Sequence, residues 1–150
     1  MGEVRVRTAG ADDALVLAAL ALQCALHRGG STEQGFLDRY ARAWLADRRE
    51  RPAWLAEAGE EHGGFLQALV LESLPVPGEP PRSTLAVETF FVRASHRGMG
   101  VGEQLLRAAV AWARDGGFAE VRVPAGRHTT VMVERVGFTA DERAYRMELP

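Results

Sequence analysis

The stretch "VETFFVRASHRGMGVGEQLL", from Val87 to Leu106, decides the fold of this chain. It opens with β-branched and aromatic residues, which are typical of a strand, and closes with paired leucines in a segment of helical periodicity. Between them Gly98, Gly100 and Gly102 stand at alternate positions behind Arg97. Glycine is the poorest ordinary helix former, so this density at an element boundary predicts backbone that comes close to a ligand.

A strand, a glycine-rich turn and a helix together aim backbone N–H groups and the positive end of the helix at one point. We therefore expect a ligand that carries phosphate. The spacing GxGxG differs from the GxGxxG of dinucleotide-binding folds, and the strand "VRV", Val121 to Val123, is followed by Pro124 instead of an acidic residue. The chain has no lysine, which excludes a P-loop and a pyridoxal Schiff base. A connector that only turns a corner is the structural alternative.

Length and composition predict one folded domain over residues 1–150. A formal net charge of −2 offers no electrostatic footprint for nucleic acid or an anionic membrane. The most apolar segment, Ala14 to Leu26, is too short to span a membrane and is predicted to be a buried helix. Cys24 is the only cysteine, and the sequence shows no signal peptide, so we expect no disulfide and a cytoplasmic location.

Hydrophobic periodicity predicts an α/β (α+β) domain with the order β-α-α-β-β-β-α-β-α-β. The predicted elements are a strand at 4–8, a helix from Asp12 or Asp13 to His27, a helix from Ser31 or Thr32 to Arg51-Pro52, strands at 53–59, 63–74 and 85–92, a helix at 101–114, a strand at 119–123, a helix at 129–135, and final strand signals in "GF" and "AYRMEL". The loop at 75–83 holds four of the seven prolines and is a candidate for substrate contact.

The stretch from Arg97 to Gly102, "RGMGVG", resembles the acyl-CoA pyrophosphate motif Q/R-x-x-G-x-G/A of the GCN5-related N-acetyltransferase (GNAT) family. The preceding strand and the following leucine-rich helix are similar to that family, and "VERVGF", Val133 to Phe138, resembles its Y-E-x-x-G-F segment. The resemblance covers nearly the whole chain. It implies a mostly antiparallel central sheet flanked by helices, and acetyl-CoA as cosubstrate.

The resemblance also implies where acetyl-CoA binds. Backbone N–H groups of Gly98, Met99, Gly100, Val101 and Gly102 would surround the pyrophosphate, with Arg97 adding a charge-assisted contact. In the same way, N–H groups near Phe91 and Val92 would hold the thioester carbonyl on a splayed strand. His96 is interpreted as a solvent-facing loop residue.

The resemblance implies Glu88 as the general base for the acceptor amine. A glutamate that faces solvent or pairs with an arginine is the structural alternative, and Glu72 on the neighbouring strand is a rival for the role. The family's usual acid, a tyrosine, is replaced by Val133, and an asparagine common in the family is missing because the chain has none. Tyr145, Ser95, Thr130 or water are the remaining candidates for the acid.

The resemblance implies an enzyme that moves an acetyl group from acetyl-CoA to a primary amine by direct attack in a ternary complex. The alternatives are an acyl-CoA-binding or sensor module without catalysis, and an enzyme that uses another acyl-CoA. The acceptor pocket is expected around "HRGGSTEQ", residues 27–34, and the loop at 75–83. We expect no metal, although Cys24 and His27 share a helix, and the resemblance implies a homodimer. Trp44, Trp54 and Trp112 are assigned to the core or to an oligomer face.

Overall fold

A five-stranded sheet organises the molecule, and its strands lie in the order of the chain. The computed structural model describes residues 3–124, 126 and 129–150. The strands are β1 (Val4–Thr8), β2 (Ala53–Ala58), β3 (Glu61–Glu72), β4 (Ser83–Val92) and β5 (Glu120–Arg122). The helices are α1 (Ala14–His27), α2 (Phe36–Ala46), α3 (Val101–Asp115) and α4 (Thr130–Val136), with 3-10 turns at Ala11–Asp13 and Ala94–His96. The first four strands are antiparallel and β5 runs parallel to β4, which confirms the expected mixed, mostly antiparallel sheet flanked by helices.

The sheet separates two hydrophobic cores. On one face α1 and α2 pack against inward-facing residues of the central strands, among them Leu55, Phe65 and Phe91. On the other face α3 packs on a set that includes Trp54, Leu66 and Leu85. This arrangement follows from the period-2 alternation of side chains along a strand, which sends neighbouring residues to opposite faces.

All three tryptophans belong to these cores, which confirms the first of the two assignments expected for them. Trp44 is 3% exposed, and its indole N–H donates to the Arg51 carbonyl at 2.8 Å. Trp54 and Trp112 meet edge to face with ring centroids 5.5 Å apart on the α3 side. Cys24 is also buried, in the core under α1.

The α1 helix begins after an ion-paired turn. The Asp13 carboxylate accepts from the Gly10 backbone N–H at 2.7 Å and from both terminal nitrogens of Arg7 at 2.7 and 2.8 Å. Arg7 also donates to Glu57 on β2 at 2.6 Å. The predicted start of the helix near Asp13 is therefore right, and the turn is tied to two strands of the sheet.

The α2 helix starts at Phe36, later than the predicted Ser31 or Thr32. The reason is Gly35, whose left-handed φ of 78° is incompatible with a right-handed helix, so α2 cannot extend to residues before it. A hydroxyl followed by Glu33 and Gln34 resembled a capping signal, but the backbone at Gly35 sets the boundary.

The final strand predicted at "AYRMEL" is wrong, and so is the strand signal at "GF". After α4, the N–H groups of Gly137 and Phe138 both donate back to the Val133 carbonyl, so this pair ends the helix. Residues 139–150 form no strand and are exposed, including Tyr145, Met147 and Leu149. Their alternating pattern fits a strand, but in the described part of the chain no strand pairs with them, and strand propensity depends on such a neighbour.

Candidate functional site

The last two strands, β4 and β5, pair along only part of β4, the strand predicted to bind acyl-CoA. Parallel pairing joins only Thr84–Ala86 to Glu120–Arg122. From Val87 to Val92, β4 pairs with β3 alone among the described residues. Backbone groups along this second edge are available to an extended ligand that carries amides, as in the addition of a strand. Phe91 and Val92 lie on this edge, at the end nearest the glycine loop.

A β-bulge re-aims Glu88 within the same strand. Gln67 pairs with Thr89 and Ala68 pairs with Val87, so Glu88 is the extra residue on β4. Its carboxylate accepts from Nη1 of Arg51 at 3.0 Å, and its side chain is 38% exposed. Glu88 thus matches the structural alternative, a glutamate that faces solvent and pairs with an arginine, and its role as general base stays a prediction.

The glycine loop uses its glycines for two different reasons. Gly98 and Gly100 have left-handed φ angles of 78° and 77°, and a Cβ on either would meet no atom within 4 Å. Gly102 lies inside α3, where a Cβ would come within 2.9 Å of the Phe90 ring and 3.2 Å of the Met132 sulfur. The first two glycines therefore shape an open backbone turn at the positive end of α3, and the third allows close packing.

The side chains between these glycines face inwards. Val101 is 1% exposed, and Met99 packs half-buried against the α3 core. Their side chains therefore stabilise the loop, and only their backbone N–H groups are available to an anion. An open left-handed turn at the start of a 15-residue helix fits a pyrophosphate group.

Arg97 joins the loop to β4 and α1. Its Nε donates to the Val92 carbonyl at 3.1 Å, and its Nη2 lies 3.2 Å from Nε2 of His27. Since a guanidinium only donates, the His27 nitrogen is the acceptor in this contact. The His27 ring also lies 6.0 Å from the Phe91 ring. The structure thus brings together Arg97, Val92, Phe91 and His27, a cluster that sequence spacing alone did not indicate.

His96 is buried, at 2% exposed, and its interpretation as a solvent-facing residue is wrong. Its ring fills the notch left by Gly63, where a Cβ would lie 2.8 Å from Cδ2 of the imidazole. Ser95 Oγ lies 2.8 Å from its Nδ1, and Glu61 lies 3.7 Å from its Nε2. Gly63 is itself the extra residue of a bulge on β3, and its carbonyl accepts from the Arg93 N–H at 2.8 Å. Together these contacts fix the turn that leads from β4 into the glycine loop.

Tyr40, on α2, is partly buried against the core between the sheet and the first two helices. Burial raises the pKa of its phenol to about 12, helped by the negative charge of Glu88 and opposed by the positive charge of Arg51. Tyr40, Glu88 and Arg51 therefore form one cluster on the α2 side of β4. The rival Glu72 lies elsewhere, exposed and paired with Ser83 at the opposite end of β4 from Val92.

The candidate acids are not gathered at this cluster. Tyr145 is fully exposed in the segment after α4, so no packing holds it in place. The Ser95 hydroxyl is engaged with His96, and the Thr130 hydroxyl donates to the Gly126 carbonyl at 3.1 Å. Val133, at the position of the family's usual tyrosine, packs half-buried against the α3 core.

Two further features can be excluded within the part of the chain that the structure describes. No group of three or more histidine, cysteine, aspartate or glutamate side chains is placed to hold a metal ion. In the same residues, no helix combines the length and the apolar character that crossing a bilayer requires.

Comparison with known proteins connects these features to a family. The model of the acetyltransferase (GNAT) family matches residues 19–138. N-acetyltransferase 8B from Rattus norvegicus is 33% identical over 82 residues, which are 53% of this chain and 34% of that protein. N-acetyltransferase family 8 member 2 from the same organism is 33% identical over 75 residues, so the chain spans about a third of the length of the curated relatives it matches.

Solved structures share the fold. A "predicted acetyltransferase" from Clostridium acetobutylicum, solved with acetyl-CoA, superposes with a TM-score of 0.80 at 13% identity, over 97% of this chain and 96% of that one. The ribosomal-protein-alanine N-acetyltransferase of Brucella melitensis has a TM-score of 0.75 at 22% identity, over 99% and 100%. At such identities the likeness concerns the fold.

Proposed function

Because this chain belongs to the acetyltransferase (GNAT) family, we propose that it transfers an acetyl group from acetyl-CoA to a primary amine by direct attack in a ternary complex. The observation that carries the proposal is the open turn at Gly98 and Gly100, placed where α3 begins and beside the edge of β4 that no other described strand pairs with. The structural neighbour solved with acetyl-CoA supports the choice of donor.

In this proposal the glycine turn and the edge of β4 bind different parts of acetyl-CoA. Backbone N–H groups from Gly98 to Gly102 bind the pyrophosphate, and the edge of β4 from Val87 to Val92 pairs with the amides of the pantetheine arm. The N–H groups near Phe91 and Val92 polarise the thioester carbonyl. Arg97 reaches the phosphates by exchanging its contact with His27 for a charge-assisted one.

Glu88 is proposed as the group that accepts the amine proton. A carboxylate is a weak base for an ammonium group, so it acts by holding the cation and passing its proton to solvent. The leaving thiolate, with a pKa of about 8.5, can be neutralised by a proton from the attacking nitrogen or from water. Tyr145 stays a prediction for that acid, and it acts only if the segment after α4 moves to the site.

The test is isothermal titration of the protein with acetyl-CoA, comparing Gly100→Asp with Gly100→Asn. Both residues tolerate the left-handed backbone and have nearly equal size, so they differ mainly in charge. We expect the Asp variant to bind at least about tenfold more weakly than the Asn variant, which corresponds to about 1.4 kcal/mol. Circular dichroism and thermal unfolding show whether both variants remain folded.

The outcomes separate the alternatives. No binding by the wild-type protein would overturn the proposal, and equal affinities of the two variants would show that the pyrophosphate lies elsewhere. Binding without turnover of any amine would favour the acyl-CoA-binding module, for which Val133 in place of a tyrosine is the motivating residue. Competition with longer acyl-CoA esters would reveal a different acyl donor.

A further inference from the structure

An exposed ion pair between Arg51 and Glu88 lies at the β-bulge of β4. Arg51 precedes β2, and its neighbours Glu50 and Pro52 accept backbone hydrogen bonds from Val70 and Ala68 on β3. The Arg51 side chain therefore crosses one strand to reach Glu88 on β4, with 3.0 Å between Nη1 and Oε1. The two side chains are 37% and 38% exposed, so a ligand can reach both charges.

The two charges of the ion pair are opposite, and both lie near Tyr40 on α2. The phenol of Tyr40, mostly withdrawn from water, lies close enough for both charges to act on it, and in opposite directions. Among the described residues, the buried Cys24 thiol also acts on Tyr40, and burial raises the pKa of that thiol. The cluster thus offers one carboxylate, one guanidinium and a neutral phenol, which together carry no net charge.

The pairing of Arg51 with Glu88 favours amines that also carry a carboxylate over simple amines. A simple ammonium that binds Glu88 shares one carboxylate with Arg51 or displaces it, and in both cases two cations lie side by side, which is electrostatically unfavourable. An acceptor that carries a carboxylate next to its amine exchanges the internal pair for two new ones, ammonium to Glu88 and carboxylate to Arg51. Guanidinium binds carboxylate with two parallel hydrogen bonds, so the second contact also orients the amine.

We propose that the acceptor is an α-amino acid, bound by Arg51 through its carboxylate and by Glu88 through its amine. This inference rests on the proposed acetyl transfer. The acceptor nitrogen forms a bond to the acetyl carbonyl carbon as the carbon–sulfur bond of the thioester breaks. One ammonium proton passes through Glu88 to solvent, and a second leaves the nitrogen to neutralise the thiolate. Arg51 is a specificity-determining residue in this scheme and takes no part in the proton transfers.

The experiment compares amino acids with the amines that remain when their carboxylate is removed. Alanine, leucine and phenylalanine are paired with ethylamine, 3-methylbutylamine and 2-phenylethylamine, and kcat and KM are measured for each. For the best pair we expect kcat/KM at least tenfold higher for the amino acid. In Arg51→Gln the preference should fall to within about twofold, mainly through a higher KM for the amino acid, and Arg51→Lys should restore part of it.

Two control variants separate specificity from chemistry. Arg49→Gln changes an exposed arginine on the same connection and should keep the preference. Glu88→Gln should lower kcat for both members of a pair, because both use the same carboxylate. Titration with acetyl-CoA on every variant shows that the donor site is intact.

Three results would overturn the inference while acetyl-CoA still binds: equal use of both members of each pair by the wild-type protein, an equal loss for both members in Arg51→Gln, or no turnover of any amino acid. Failure of the wild-type protein to bind acetyl-CoA would instead overturn the proposed function, and the inference with it.

Discussion

The contact between Gly63 and His96 makes a strong prediction about stability. A methyl group at position 63 would place its carbon 2.8 Å from a ring carbon of His96, roughly 0.6 Å inside ordinary contact. The ring is buried and held by Ser95, so it has little room to move. Overpacking of this kind costs about 2 kcal/mol. We therefore expect Gly63→Ala to lower the melting temperature by roughly 4–8 °C.

A double-mutant cycle shows whether the imidazole is the cause. His96→Ala alone should destabilise the protein by about 2 kcal/mol, since it removes a buried ring and its hydrogen bond. In the His96→Ala background, the nearest remaining neighbour of the new methyl is the Cβ of residue 96, at 3.3 Å. Gly63→Ala should then cost less than about 0.5 kcal/mol, which gives a coupling energy of about 1.5 kcal/mol.

The assay is urea unfolding of the wild-type protein, both single variants and the double variant, followed by tryptophan fluorescence and evaluated at constant m-value. Equal costs of Gly63→Ala in both backgrounds would refute the reasoning, because the loss would then come from the backbone of the bulge and not from the ring. Because the His96 turn leads into the glycine loop, Gly63→Ala should also weaken acetyl-CoA binding if the proposed function is right.

Three further predictions concern other parts of the fold. Hydrogen bonds from Arg7 hold the pKa of Asp13 below its usual value. This carboxylate therefore stabilises the protein above about pH 4, and the stabilisation is lost as the pH falls through the lowered pKa. Asp13→Asn should therefore lower the free energy of unfolding by about 1 kcal/mol at pH 7. Urea unfolding measured between pH 6 and 2 should also show that the stability of this variant falls less steeply with acid. A fall as steep as that of the wild-type protein would contradict this. Gly64→Ala would place a Cβ 2.6 Å from a backbone oxygen of β4, and urea unfolding should show a destabilisation of about 2 kcal/mol. In the control Gly10→Ala the nearest atom lies 3.9 Å from the new Cβ, so the stability should hardly change. Cys24 is 4% exposed and burial raises its thiol pKa, so Ellman's reagent should label it only after urea is added, and fast labelling of the folded protein would place the thiol at the surface.

Local patterns predicted the elements whose formation depends on nearby residues. The alternation in β1, the apolar run of α1 and the leucines of α3 each have a matching element in the structure. The start of α2 was missed because one left-handed glycine outweighed a capping signal, and the last strand was missed because alternation needs a neighbouring strand to pair with.

The glycine loop was recognisable from sequence because its residues are consecutive. The cluster of Arg51, Glu88 and Tyr40 was not, since Arg51 and Glu88 are 37 positions apart and meet only through the register of three strands. Burial of His96 depends on the absence of a side chain at Gly63, another long-range relation that periodicity does not record.

The two cores on opposite faces of the sheet have no residue in common. Substitutions under α1 and α2 should therefore add to those under α3 with little coupling, as distant sites do. The contacts of His27 with Arg97 and Phe91 are the exception, because they join α1 to the glycine loop. Away from them, under the proposed function, the acceptor side can change in sequence while the turn that binds the donor stays the same.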